Sequence, residues 1–309
     1  QTCALPIFIR GDVIELHSAS NRVTTHSNVE HYPLGYPRRG KKPMSVKLGA
    51  TTVVIGGVAG GMSAATRLRR LDESANIIVL ERSNYVSYAN CGLPYFIGGV
   101  IDERSNLLLQ TPESLHARFN LDVRVSHEVR AIDSLNKIIS GIDIVSGEPF
   151  EISYDYLILS PGAAPVKPDV LGIENALTLR TVEDVDRLLA AVKADPTTVT
   201  VIGGGFIGLE TAENMKHRGI DVTIIEAAPQ VLAPLDSEMA ELVLDELRQQ
   251  SVDVRLNAQI SEIADDCVRL NTGECVKSDL VVLAIGVRPE TGLARAAGIE
   301  IGDRGGIAR

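Results

Sequence analysis

The sequence is short of cysteine, short of basic residues relative to acidic ones, and without a long apolar run. Its four cysteines, Cys3, Cys91, Cys267 and Cys275, are too few for a disulfide scaffold in 309 residues, and no CxxC spacing points to zinc. A reducing compartment, the cytoplasm, is the expectation; a secreted protein with two disulfides is the lesser alternative. Lys and Arg number 30 against 40 Asp and Glu, a net charge of -10. That balance argues against nucleic acid and against an anionic membrane surface as partners. Apolar runs such as "DLVVLAIGV" are far too short to span a bilayer. The N-terminal "QTCALPIFIRGD" has no basic region before its apolar patch and no clean cleavage site, so no signal peptide is read. None of the six histidines sits in a catalytic or metal-binding motif.

What is present is a hydrophobic content of 45%, enough for a buried core spread over two domains. Residues 1–43 stand apart: "HYPLGYPRRGKKPMS" is rich in Pro, Gly and basic residues and has no lasting period. A disordered leader is expected there. From residue 52 "TVVIGG" reads as a buried parallel strand ending in glycines, "GMSAATRLRRLDE" as a helix, and "NIIVLER" as a second strand. The same strand, glycine turn, helix and strand recur in "TVTVIGGGFIGLETAENMKHRGIDVTIIEAAPQ". Two such βαβ units about 150 residues apart imply two nucleotide-binding domains. Between them "TVEDVDRLLAAVKA" is an amphipathic helix with Thr181 as N-cap and Asp184 three residues on. A hairpin is expected at "NTGE", flanked by Cys267 and Cys275, which are expected to be packing residues. The chain stops at "DRGGIAR", where a strand should be starting, so a truncated protein is expected.

The glycines carry the chemistry. Gly203, Gly205 and Gly208 fit GxGxxG: a tight turn, room for a pyrophosphate, and close helix–strand packing. The helix that follows offers free N–H groups and its positive end to phosphates. Glu226 ends the next strand 18 residues after Gly208. A carboxylate there accepts both hydroxyls of a ribose and repels a 2′-phosphate, which favours NADH over NADPH. In the first unit Gly56 and Gly61 hold the outer positions, Val58 replaces the middle glycine, and Glu81 follows Gly61 by 20 residues. Cys91, in "SYANCGLPY", comes ten residues after Glu81 and so returns over the first nucleotide site. A helix beginning near Cys91 would turn its positive end toward the sulfur. Ser87, Tyr88 and Asn90 could hydrogen-bond a sulfur anion, and Gly92 allows close approach. An inert buried thiol is the commoner fate of a free cysteine, and the residues alone leave both readings open.

Taken together, "VIGGVAGGMSAATRLRRL", "SYANCGLPYFIGG", "YDYLILSPGA", "VIGGGFIGLE" and "LAIGVRPE" resemble the pyridine nucleotide-disulfide oxidoreductases. The resemblance runs from Met44 to Arg309. It is to the single-cysteine branch of coenzyme A-disulfide reductases, NADH oxidases and peroxidases, and NADH-dependent persulfide reductases. In the family's two-cysteine branch a second thiol follows the first by a few residues; Gly92 to Tyr95 offers none, so the resemblance implies no internal active-site disulfide. The resemblance implies an α/β fold of two Rossmann-like domains, FAD in residues 44–164 and NAD(P)H in 165–286, with 287–309 returning to the first. Gly56, Gly61 and Glu81 would hold FAD pyrophosphate and ribose, Val129 the adenine through its backbone, and Ser160 and Gly162 the loop near the flavin. Gly203, Gly205, Phe206, Ile207, Glu226 and Gly286 would hold NADH, with Glu210 near the nicotinamide.

Cys91 would be the redox nucleophile, and Ser63, Arg67, Arg70, Ser87 and Asn90 would bind coenzyme A. A lysine that the family often uses for coenzyme A is not evident, and Arg118 in "SLHARFN" is its candidate substitute. The chain as given ends before the family's second FAD motif, an acidic Gly-Asp segment, and before its C-terminal dimerisation domain, which in the family brings a tyrosine to the partner's active site. A homodimer is implied for the full-length family. The readings carried forward are a coenzyme A-type disulfide or persulfide reductase, an NADH oxidase or peroxidase, and an inactive nucleotide-binding fragment.

Overall fold

The computed structural model describes residues 7–8 and 49–308. The leader expected over 1–43 therefore lies outside the described residues, apart from Ile7–Phe8. The first unit contains β1 (Ile7–Phe8), β2 (Thr51–Ile55), α1 (Ala59–Leu71) and β3 (Asn76–Leu80). A 3-10 turn at Asn90–Gly92 follows, then α2 (Leu93–Gly98), α3 (Pro112–Phe119) and β4 (Asp122–Arg124). A meander of β5 (His127–Asp133), β6 (Ile138–Asp143) and β7 (Pro149–Ser153) leads to β8 (Tyr156–Leu159) and β9 (Ala163–Pro165). The main sheet has the order β1-β8-β2-β3-β4, parallel except for β1.

The second unit repeats the plan. It contains β10 (Leu177–Thr178), α4 (Val182–Val192), β11 (Thr198–Ile202), α5 (Phe206–His217) and β12 (Asp221–Ile225). Then come α6 (Ser237–Gln249), β13 (Asp253–Arg255), the meander β14 (Ile260–Ile263), β15 (Cys267–Leu270) and β16 (Cys275–Lys277), and β17 (Leu280–Leu283). Its sheet has the order β10-β17-β11-β12-β13, all parallel. The chain leaves through β18 (Val287–Pro289), which pairs antiparallel with β9, and ends in α7 (Gly292–Ala296) and an isolated bridge between Ile301 and Ile307.

The continuous apolar strands are buried on both faces, as parallel strands covered on each side must be. Successive residues serve opposite cores. Val54, Ile77 and Val79 pack with α1, whereas Val53, Ile55, Ile78 and Leu80 pack under the β5–β7 meander and α7. In the second sheet Val199, Val201, Val222 and Ile224 face one core, and Ile202, Ile225, Val281 and Leu283 the other. Each such fully buried side chain contributes roughly 1.5–3 kcal/mol. The core under β11 and β12 also takes in Tyr88, Leu93, Ile97 and Leu107 from the first unit, so one apolar cluster joins the two. No helix among the described residues is long and apolar enough to cross a membrane.

One expectation is overturned. Cys267 and Cys275 are not separate packing residues; they form a disulfide between β15 and β16, with Cα atoms 5.7 Å apart. In register Cys267 lies opposite Lys277, and Cys275 opposite Arg269, so the two cysteines are diagonal neighbours on one face. Strand twist brings such a diagonal pair together. A reading of turn position alone gives neither register nor twist.

Candidate functional site

The two glycine turns are built by the same contacts. Gly56 has φ +100° and Gly203 φ +110°, conformations that side chains rarely adopt. Gly56 N–H donates to the Leu80 carbonyl at 2.9 Å and Gly203 N–H to that of Ile225 at 2.8 Å. A Cβ on Gly56 would overlap the Ser160 carbonyl oxygen, and one on Gly61 the Gly56 carbonyl. Gly208 stands in the same relation to Gly203. Glycine at 56, 61, 203 and 208 is thus a requirement of the fold itself. Gly205 is different: its φ is −82° and a Cβ there would meet nothing within 4 Å. Among the described residues nothing fills that space. Val58, its counterpart, has a similarly extended φ of −104° and packs against the core shared by the two units.

The acids after each turn also match. Glu81 Oε2 accepts from Gly57 N at 2.7 Å and its Oε1 from Ser83 N at 2.9 Å. Glu226 Oε2 accepts from Gly204 N at 2.6 Å and its Oε1 from Ala228 N at 2.7 Å. Burial pushes the Glu81 carboxyl above the usual range, against the pull of those two N–H donors. The helix starts are equally telling. α3 and α4 carry full capping boxes and acids in their first turns. α1 and α5 have no side-chain cap and no first-turn acid, leaving N-terminal N–H groups and positive dipole ends for an anion.

Cys91 is exposed and free, in the 3-10 turn that opens into α2. The turn is anchored to the first glycine loop, because Ser87 N–H donates to the Gly57 carbonyl at 2.9 Å. Ser87 takes φ +48° to make that contact. Gly92 lies flat against Leu107, where a Cβ would come within 2.8 Å of Cδ2. Asn90 Oδ1 is buried and has no hydrogen-bond partner among the described residues, an orphaned acceptor one residue from the sulfur. A bound group with a donor at that point would satisfy it.

Behind Cys91, α2 packs directly on α5, the helix of the second glycine turn. Gly98 and Asn214 touch so closely that a Cβ on Gly98 would overlap Asn214 Oδ1, and Arg218 Nε donates to the Ile97 carbonyl. Tyr95, in α2, is within electrostatic reach of both Glu210 of α5 and Cys91. The Tyr95 hydroxyl is pushed up first by Glu210, then by burial, Glu213 and Cys91. Glu210 is itself pushed up by burial and then by Glu213. Tyr95, Glu213 and Asn214 are residues that sequence reasoning did not single out. For Tyr95 the available signal was its place in "CGLPY", four residues from the cysteine.

The other candidates fall around these turns. Val129 is buried at a bulge in β5, a strand tied to the acid by His127 N–H donating to the Glu81 carbonyl at 2.9 Å. Ser160 N–H donates to the Ile55 carbonyl at 2.8 Å. Gly162 and Gly286, both at positive φ, sit beside the β9–β18 seam, where Val166 N–H reaches the Gly286 carbonyl at 2.9 Å. Phe206 and Ile207 remain 56% and 38% exposed at the mouth of the second turn. Ser63, Arg67 and Arg70 share one outer face of α1, away from the buried Met62, Ala65 and Leu68. Arg69 is held by the carbonyls of Phe119, Asn120 and Glu73 at 2.9, 2.9 and 2.7 Å. Arg67 and Arg70 make no ion pair among the described residues. Arg118 is exposed and lies over the Phe119 ring.

Comparison with known proteins gives one consistent answer. The family model for pyridine nucleotide-disulphide oxidoreductases matches residues 50–309. The coenzyme A disulfide reductase of Staphylococcus aureus (strain JH9) is 36% identical over 258 residues, which are 82% of this chain and 58% of that protein. Among solved structures, reduced Bacillus anthracis CoADR-RHD is 48% identical with a TM-score of 0.82, over 83% of this chain and 47% of that one. The NAD-dependent persulfide reductase from A. fulgidus is 38% identical with a TM-score of 0.79, over 82% of this chain and 49% of its own. The chain thus spans about half the length of the relatives it matches.

Proposed function

Because this chain belongs to the pyridine nucleotide-disulphide oxidoreductase family, whose members use FAD and a pyridine nucleotide, we propose that it carries both nucleotide sites of an NADH-dependent reductase of coenzyme A disulfide or a related persulfide. Cys91 is its redox sulfur. One observation carries the reading: the exposed Cys91 turn is hydrogen-bonded to the first glycine loop, and the helix behind it packs on the helix of the second.

The residues fit FAD in the first unit. Gly56, Gly61 and the uncapped start of α1 would take its pyrophosphate and Glu81 its ribose, Val129 would meet the adenine through its backbone, and Ser160 and Gly162 would line the ring. The orphaned Asn90 Oδ1 is the polar atom this chain has in reserve there. When bound, FAD supplies two-electron passage between nicotinamide and sulfur. In the second unit Gly203, Gly205, Phe206, Ile207 and Gly286 would hold the dinucleotide, with Glu210 near its nicotinamide. Glu226 would accept the ribose hydroxyls and repel a 2′-phosphate, which favours NADH.

The Cys91 thiolate attacks one sulfur of the disulfide RSSR; the S–S bond breaks, RS⁻ departs and a mixed disulfide forms. Two electrons, drawn ultimately from NADH, cleave that bond and return thiolate plus a second thiol. The balance is RSSR + NADH + H⁺ → 2 RSH + NAD⁺. Ser63, Arg67 and Arg70 offer a hydroxyl and two guanidinium groups, free of ion pairs among the described residues, to a phosphorylated thiol, with Ser87 and Asn90 beside the sulfur.

The test compares NADH consumption by the flavin-loaded protein and its Cys91→Ser variant with coenzyme A disulfide, a persulfide, peroxide and air. Disulfide or persulfide turnover is expected, and loss of at least about a thousandfold in Cys91→Ser, while NADH still bleaches the flavin absorbance. Turnover with peroxide or oxygen alone would replace this reading with the oxidase one. Disulfide turnover that survives in Cys91→Ser would remove the sulfur from the mechanism.

A further inference from the structure

The Cys267–Cys275 pair has no part in the chemistry proposed for Cys91. Its Cα atoms, 5.7 Å apart, lie within the window of about 4.4–6.8 Å in which a disulfide closes without backbone movement. The two sulfurs differ in access. Cys275 is exposed on the outer strand β16, whereas Cys267, on the central strand β15, is 7% exposed. A reagent in solution meets Cys275 first and reaches Cys267 through it. Lys277 lies opposite Cys267, and Arg269, paired with Glu262, lies opposite Cys275, so the face that bears the sulfurs also bears cations. Backbone hydrogen bonds hold this meander besides the covalent link. Leu270 N–H donates to the Glu274 carbonyl at 2.8 Å, Ser278 N–H to that of Asp266 at 3.0 Å, and Ala264 N–H to that of Cys267 at 2.9 Å. The bond can therefore open and close on a preformed frame.

We propose that Cys267 and Cys275 form a reversible dithiol–disulfide pair, oxidised by low-molecular-weight disulfides. The Cys275 thiolate attacks one sulfur of RSSR, the RS–SR bond breaks, and RS⁻ leaves a mixed disulfide on Cys275. The Cys267 thiolate then attacks the Cys275 sulfur, closing the protein disulfide and expelling a second RS⁻. The protein dithiol loses two electrons and two protons, and RSSR gains both as two RSH. Excess small thiol reverses each step.

The test uses the purified chain carrying Cys91→Ser, which removes the exposed free thiol. Reduced protein is equilibrated with glutathione disulfide and glutathione over a series of ratios, then alkylated and mapped by mass spectrometry. A Cys267–Cys275 link that rises and falls with the ratio is expected. Cys267→Ser should trap a glutathione adduct on Cys275. Cys275→Ser should leave Cys267 unmodified, with native alkylation at least about tenfold slower than at Cys275. The proposal fails if both cysteines stay alkylatable in excess oxidant, if either bonds to Cys3 instead, or if the link persists in excess thiol. Should a serine variant not fold, the ratio series on the unsubstituted pair decides alone.

Discussion

Glu226 spends one lone pair of each carboxylate oxygen on a backbone N–H, from Gly204 and from Ala228. The carboxylate is thereby fixed at the strand end, with a lone pair left on each oxygen for the ribose hydroxyls of the proposed NADH. Glu226→Ala is expected to lower the NADH-to-NADPH ratio of kcat/KM by at least about tenfold, near 1.4 kcal/mol. An unchanged ratio, measured by steady-state kinetics with both nucleotides, would take selectivity away from this residue. At this scale the sequence was legible wherever a residue's reason is local. Gly56, Gly61, Gly203 and Gly208 announce themselves by spacing, and the structure supplies the overlap each avoids. Val58 looked like a defect in the motif because its partner, the core joining the units, is remote in sequence.

At the scale of elements, one clamp recurs at the start of each main sheet. Asp155 Oδ2 accepts from Thr51 N at 2.9 Å. Asp279 Oδ2 accepts from Thr197 N and Thr198 N, both at 2.9 Å, and from their hydroxyls at 2.8 and 3.0 Å. Hydrogen bonds from Thr197 and Thr198 draw the Asp279 carboxyl down from 3.8 to about 2. A carboxylate with a depressed native pKa stabilises the fold above its unfolded value and loses that contribution as pH falls toward the native one. Asp279→Asn should therefore lower the denaturant midpoint above about pH 5, with the gap to the parent closing as pH falls toward 2. A gap independent of pH would refute the charge-based account. The capping box of α4 was legible, because Thr181 and Asp184 are three residues apart and answer each other's N–H. The Cys267–Cys275 bridge was not, because pairing there depends on the register of β15 against β16.

The whole molecule is held together across its two units by apolar and polar contacts alike. Leu93 and Ile97 of α2 enter the core of the second sheet. Arg104 forms an ion pair with Asp186 of α4 and donates to the Tyr85 hydroxyl at 2.7 Å. Ser83 Oγ donates to Glu183 at 2.6 Å. Since removing either unit would expose the shared core, both should unfold in one calorimetric transition. Two resolved transitions would show the units to be energetically separate. The repeat itself was visible in the sequence, but the α2–α5 contact that joins its halves was not, because Gly98 and Asn214 are remote in sequence and belong to different units.

The seam between β9 and β18 has a topological consequence. Val287 lies opposite Pro165 and Pro289 opposite Ala163, so the chain departs and re-enters side by side. After re-entry, Leu293, Ala294 and Ile299 settle on the core of the first sheet. The second unit is thus a guest spliced into its host through a two-stranded stem. Any module exchanged for it must present the same paired ends and must also cover Leu93 and Ile97, the host side chains that enter the guest's core.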